Sequence, residues 1–239
     1  VQKGLTGFQL KAIAIIAMFF DHIAWAFVDT GTLLGQMMHF VGRLTGPTMC
    51  FFIAEGYRKT RSFPRYLLRL GVFALISQLP FTYYSMGRPG LIPLNVIYTL
   101  ALGLLAIHCL EVIPNEGQRW AVIALLIFLS MWADWSVFGV LLCLAFYTKR
   151  DDWPRLAFVL TVMAVVLTVG QTAAKMSAGL GLATALGHSW FHLGMVLNAI
   201  VLPLYNGERG GPSWGRWMFY VFYPLHLAVI ALLRWRFLV

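Results

Sequence analysis

The sequence predicts an all-α, polytopic membrane helical bundle of about nine (eight to ten) crossing segments with a cytoplasmic N-terminus, and three observations predict it. Of the 239 residues 60% are apolar and 11% charged, and the mean hydropathy is +0.76. A soluble domain carries about 25% charged residues, so there is too little polar surface here to cover a globule in water. Apolar runs of about 20 residues, the length that crosses a hydrocarbon core, recur along the whole chain. Lys and Arg gather at alternate boundaries between them, as cytoplasmic loops require.

The predicted segments fall at 8 to 28, 36 to 56, 66 to 86, 93 to 112, 119 to 133, 135 to 148, 155 to 173, 187 to 206 and 216 to 236. The first has no small-residue cleavage site after it and is expected to stay as an anchor. The second ends in the basic stretch "YRKTRSFPRYLLR". The third and fourth are separated by "GRPGLIP" and the last two by "NGERGGP", both Pro- and Gly-marked turns. The fifth and sixth are short, meet at "ADWS", and read as one helical hairpin that does not fully cross. No internal repeat, low-complexity tract or soluble domain interrupts the pattern, so one membrane domain over 1–239 is expected.

Orientation follows from Arg58, Lys59, Arg61, Arg65 and Arg69 after the second segment, which place that loop in the cytoplasm. Alternation then puts Lys3 and Lys11, "TKRDDWPR" and "NGERGGPSWGR" inside as well. The C-terminal "RWRF" falls outside and is the misfit. The net charge of +9 is thus a matter of topology. No basic run interleaved with stacking aromatic residues lies in a soluble region, which excludes nucleic-acid binding. The three cysteines, Cys50, Cys109 and Cys143, lie in apolar runs without metal-ligand spacing and read as packing residues. No metal is expected. The many tryptophans fit an interfacial belt.

Ionisable side chains inside apolar segments are costly and therefore functional candidates. Lys11 lies at the cytoplasmic end of the first segment, and eleven residues carry the helix about 16 Å further to Asp21 and His22. His39 and Arg43 open the second segment, Asn95 opens the fourth, Asp134 lies at the turn after the fifth, and His226 lies midway along the last. These place polar groups in the same outer half of the bilayer, as a convergent buried site would. Each also has a structural reading: Arg43 as the ion-pair partner of Asp21 or Asp134, His39 as an interfacial residue, Glu55 as a partner of Arg58 or Lys59, and His108, His188 and His192 as segment-end residues. His22 suits general-base work because imidazole titrates near neutrality. Asp21 points about 100° away from its neighbour on a helix, so Asp134 is the expected orienting carboxylate. Arg43 or Asn95 would stabilise an oxyanion.

The stretches "LKAIAIIAMFFDHIAW", "GRLTGPTMCFFIAEGYRKTRSFPRYLLRL", "ISQLPF", "LNVIYTLALGLL", "ADWSVFGVLL" and "FYVFYPLHLAVI" together resemble the TraX family of conjugative pilin acetylases, within the integral-membrane acyltransferase superfamily. The resemblance implies a basic residue, ten intervening residues and a histidine on the first span, which Lys11 and His22 satisfy. "FFIAEGY" is similar to the superfamily's FF-x-x-SG segment with Glu55 in place of serine, so that serine's role does not transfer. "FYPLHL" maps to the histidine of the last span, His226.

What the resemblance implies is an acetyltransferase of the bacterial inner membrane. Cytoplasmic acetyl-CoA would be the acyl donor, and the N-terminal amine of a processed pilin or another peptide the acceptor on the outer side. Lys11, Lys59, Arg61, Arg65 and Arg69 would hold the donor's phosphates. His22 would take the acceptor's proton as the amine attacks the thioester, either in a direct ternary transfer or through an acetyl-His22 intermediate. The rival readings are a proton-coupled permease, in which the same buried groups form an ion relay, and a non-catalytic pilus assembly factor.

Overall fold

A computed structural model describes residues 4–237; Lys3, expected on the cytoplasmic side, lies outside the described residues. Eleven α-helices follow one another: α1 (Gly7–Phe27), α2 (Leu33–Gly42), α3 (Thr45–Lys59), α4 (Phe63–Met86), α5 (Val96–Val112), α6 (Glu116–Leu129), α7 (Ser136–Thr148), α8 (Trp153–Ser177), α9 (Leu182–Gly187), α10 (Leu197–Val201) and α11 (Gly215–Phe237). Short 3-10 turns span Ser130–Trp132, Trp190–Val196 and Leu202–Leu204, and no strand occurs among the described residues. The all-α prediction holds. Packing divides the chain into two units, each drawn from two stretches: residues up to Thr48 with Asp151–Gly215, and Met49–Arg150 with the residues from Arg216 onward.

In the first unit α1 begins with a capping box, Thr6 and Gln9 satisfying each other's backbone N–H groups. The free N–H groups of Gly7 and Phe8 donate to the carbonyls of Glu208 and Arg209. That loop must pass so close that a side chain at Gly210 would strike Thr6, and one at Gly211 would strike Phe8; both glycines also have positive φ. The buried residues Leu10, Ala14, Ala17, Asp21 and Ala24 recur at helical spacing, a stripe facing the protein. Ile13, Ile16, Phe19 and Phe20 are exposed, as lipid-facing residues are. Asp29 turns the chain by accepting from the N–H of Gly31, and Thr32 caps α2.

In the second unit α5 is buried on nearly every side and packs on α4, α6 and α7. Close approach to α7 depends on small residues: a methyl group at Gly103 would meet Cys143, and one at Gly139 would meet Thr99. The three cysteines are free, as expected of packing residues, and Cys50 donates to the carbonyl of Gly139. The predicted hairpin is present as α6 and α7 packed together.

Among the described residues four stretches are long and apolar enough to cross a membrane, Gly7–Phe27, Trp153–Ser177, Leu182–Leu204 and Trp217–Arg236. α5 and α7 are apolar but have only 17 and 13 residues, short of the roughly 20 a crossing needs. Two predicted segments are corrected. The one at 36 to 56 is two helices of 10 and 15 residues broken at Arg43 and Leu44, because Gly46 and Pro47 belong to the first turn of a new helix. The one at 187 to 206 lies largely within the stretch Leu182–Leu204 that is long and apolar enough to cross, but it is a chain of short helical pieces and not one helix; Pro203 cannot donate an intrahelical bond there.

Candidate functional site

Asp21 lies on the buried stripe of α1, where an apolar side chain would continue the pattern. It is 6% exposed. Its two carboxylate oxygens take separate partners from α2: Nδ1–H of His39 donates to Oδ1 at 2.8 Å, and the Arg43 guanidinium donates to Oδ2 at 2.9 Å. His39 and Arg43 are four residues apart on α2, hence on one face of it. Gly42 lies between them, and a methyl group there would overlap the Asp21 carboxyl. The pairing that the sequence reading held open for Arg43 is therefore with Asp21. His39, read there as interfacial, is instead fully buried and part of the cluster.

A charged carboxylate only accepts hydrogen bonds, so the Nδ1 atom of His39 carries a proton, and in the neutral ring Nε2 is the nitrogen with the lone pair. Nε2 is buried and has no hydrogen-bond partner among the described residues. Trp25 lies over the ring at 4.1 Å between centroids, and Phe191 at 5.2 Å. The Arg43 guanidinium also lies 5.2 Å from the Phe191 ring. His192, on the other side of Phe191 in sequence terms a 3-10 residue, packs on that ring at 4.2 Å and likewise leaves a buried Nδ1 unpartnered among the described residues.

The backbone around the cluster is fixed by two buried amides. Gln36 donates to the Thr30 carbonyl at 2.7 Å and accepts from the Phe191 N–H at 3.2 Å. Asn198 donates to the carbonyls of Arg43 and Met195, both at 3.1 Å, and accepts from Thr48 at 3.0 Å. Gly194 approaches the Phe40 backbone so closely that no side chain fits between them. His22 is half-buried one position beyond Asp21 on α1, and Lys11 is half-buried near the start of the same helix. Asp21 thus hydrogen-bonds a ring on α2, while its sequence neighbour His22 points about 100° away around α1.

The other expected site residues belong to the second unit. Asn95 caps α5: its oxygen accepts from the Ile97 N–H, and its two amide hydrogens go to Ala74 and Gln78 at 2.7 and 2.8 Å. Both donors are spent in holding the start of a helix, which leaves none for an oxyanion. Asp134 accepts from the Trp135 N–H at 2.9 Å, and its carbonyl accepts from Thr99 at 2.5 Å. Trp135 and Ser136 that follow have positive φ of 62° and 40°, a costly conformation for residues with side chains. His226 donates from Nδ1 to the Phe222 carbonyl one turn back, at 2.7 Å, and stacks on the Phe222 ring.

The basic residues of the second unit divide into two kinds. Glu55, buried at the end of α3, holds Arg150 at 2.8 Å, Lys59 at 3.3 Å and Arg58 at 3.7 Å. Arg58 also donates to the Tyr147 carbonyl. Arg69 donates to the Tyr220 hydroxyl at 3.1 Å and lies over the rings of Tyr66 and Tyr220. Arg61 and Arg65 are exposed. Among the described residues no group of three or more His, Cys, Asp and Glu side chains is placed to hold a metal ion.

Comparison with known proteins gives one family. The model of the family described as TraX protein matches residues 6–234. A similar curated protein is the probable fimbrial assembly protein FimC, serogroup H1, of Dichelobacter nodosus, 34% identical over 239 aligned positions that cover 94% of each chain. No solved structure matches.

Proposed function

The chain belongs to the TraX family, and from that premise we propose that it is a multi-pass acetyltransferase of the bacterial inner membrane serving pilus assembly or conjugation. Acetyl-CoA from the cytoplasm would donate, and the N-terminal amine of a processed pilin would accept on the outer side. The observation that carries this reading is the Asp21, His39 and Arg43 cluster. Its geometry is that of acid–base and oxyanion chemistry: a carboxylate fixing an imidazole tautomer beside a permanent cation. Burying these charges costs several kcal/mol per ion before their mutual attraction is counted, and an apolar residue at position 21 would complete the α1 stripe without that cost.

Lys11 and His22 keep the basic-x10-histidine spacing on the same helix; in this reading His22 would act at the thioester carbonyl and Lys11 would lie toward the donor's entrance. The N-terminus and the α3–α4 loop are cytoplasmic in this reading. Arg61 and Arg65, exposed and in no ion pair among the described residues, are the cations there best able to meet the phosphates of CoA.

The test is direct: protein purified in detergent, acetyl-CoA and a peptide with a free pilin-like N-terminus should yield CoA thiol and a peptide heavier by one acetyl group. The printed name of the Dichelobacter relative, a fimbrial assembly protein, favours one second reading, a non-catalytic assembly factor. That reading predicts neither thiol release nor stabilisation by CoA.

A further inference from the structure

We propose that His39, oriented by Asp21, is the base that takes the acceptor amine's proton, a role that rests on the acyl-transfer reading. The argument starts from what each ring can do. His39 is held by a carboxylate at Nδ1, so its tautomer is set and its basic nitrogen is Nε2. That nitrogen is buried without a partner among the described residues. A buried acceptor left unpaired is unfavourable, and a ligand bearing an N–H group would satisfy it. The ring also lies only one side chain deep, since Trp25 covers it at 4.1 Å and is itself 39% exposed.

The step balances within the acyl transfer. The amine nitrogen bonds to the acetyl carbonyl carbon while one N–H proton passes to Nε2 of His39, and the carbonyl electron pair moves to oxygen. Collapse of that oxyanion breaks the C–S bond, and the departing thiolate takes the proton from Nε2 to leave as CoA thiol. Arg43, already bound to Asp21, keeps the carboxylate in place as the ring becomes a cation. With the amine's proton assigned to His39, His22 is left to act at the thioester carbonyl. Asp21 is then a positioning residue, acting through His39.

Two variants test this. In Asp21→Asn the guanidinium of Arg43, which can only donate, takes the amide oxygen. The amide NH2 is then turned toward His39 and donates to Nδ1, which drives the ring proton to Nε2 and removes the base. His39→Gln removes the ring and keeps a polar side chain of similar reach. Each should lower kcat for amine acetylation by about 10²- to 10⁴-fold, the usual contribution of a general base, with KM for acetyl-CoA within about twofold of wild type.

A second readout needs no activity. Nitrogen NMR of membrane-reconstituted, histidine-labelled protein, with the His39 signals identified by their loss in His39→Gln, should show protonated Nδ1 and bare Nε2 in wild type and the reverse in Asp21→Asn. Wild-type transfer with an undiminished kcat in His39→Gln overturns the role of His39 and leaves the acyl-transfer reading standing. A wild type that neither releases thiol nor acetylates the peptide overturns that reading and this role with it. If His39→Gln fails to fold, Asp21→Asn decides against the wild-type spectrum: no ring whose proton moves from Nδ1 to Nε2, or an unchanged kcat despite such a move, refutes the proposal.

Discussion

Gly42→Ala adds one methyl group to the protein at the point where α2 meets the Asp21 carboxyl. The new carbon would overlap the Cβ, Cγ and Oδ1 atoms of Asp21, and the carboxyl cannot swing away without leaving His39 at 2.8 Å or Arg43 at 2.9 Å. Overpacking costs about 1–3 kcal/mol, and losing one hydrogen bond to a charged group about 1.5–3 more. Alanine in a helix returns about 1 kcal/mol relative to glycine. The net loss is roughly 1.5–5 kcal/mol, and at about 2–4 °C per kcal/mol for a chain of this size Tm should fall by at least about 3 °C. Thermal unfolding in detergent, followed by the monodisperse fraction on size exclusion, reads this out. Gly170→Ala is the control: it lies inside α8 with no atom within 4 Å of the added carbon, and its Tm should hold or rise. Equal melting of the two variants would refute the tight seat of Asp21 against α2.

His22→Ala should abolish acetyl transfer while the protein remains folded in the membrane; transfer kept within about twofold would remove His22 from the reaction. Replacing Arg61 and Arg65 together by Gln should raise KM for acetyl-CoA with kcat nearly constant, the pattern of lost uniform binding, and the wild-type KM should rise with salt. Accessibility labelling of a single cysteine in the 57 to 66 loop must show its side unchanged, since these charges also set topology, and a KM indifferent to both changes places the donor elsewhere. Glu55→Gln leaves Arg58, Lys59 and Arg150 without their shared carboxylate. Those cations are 27%, 50% and 39% exposed, so solvent screening holds the loss to about 1–2 kcal/mol, a Tm drop that added salt should partly reverse; a larger drop in high salt would contradict the assignment.

Helix positions were legible wherever the chain follows one apolar run from cap to cap: α1 and α8 lie within a few residues of 8 to 28 and 155 to 173. The break between α2 and α3 was not, because continuous hydropathy over 36 to 56 hides it. The trace was "RLTGPT", where Pro47 and Gly46 are at home in a first turn and out of place in mid-helix. His39 was undervalued for a related reason. Depth along a single long span put it near an interface, whereas the spacing of Leu10, Ala14, Ala17, Asp21 and Ala24 already places Asp21 on the face of α1 turned toward the protein. A carboxylate on a core stripe demands hydrogen-bond donors, and the two candidates four residues apart on the next helix are His39 and Arg43. Asn95 sits at the head of an apolar helix, where a polar side chain serves first as the cap of that helix.

The interruption after α2 and the charge cluster are one structural device. Non-helical backbone at membrane depth is tolerated only where protein satisfies its polar groups, and Asn198 does so by donating to the carbonyl of Arg43 while accepting from Thr48 in the first turn of α3. Asp21 meanwhile holds the other end of the same residue, its guanidinium. Arg43 is therefore fixed at backbone and side chain by groups from two different parts of the chain, and His39, one turn earlier on α2, inherits that rigidity. A continuous helix from Leu33 to Lys59 would leave the Arg43 carbonyl without its intrahelical donor, because the residue four positions on is Pro47, which has no N–H; Asn198 supplies the missing donor. The break thus costs no hydrogen bond and couples the last helical pieces of the first unit to the position of the imidazole.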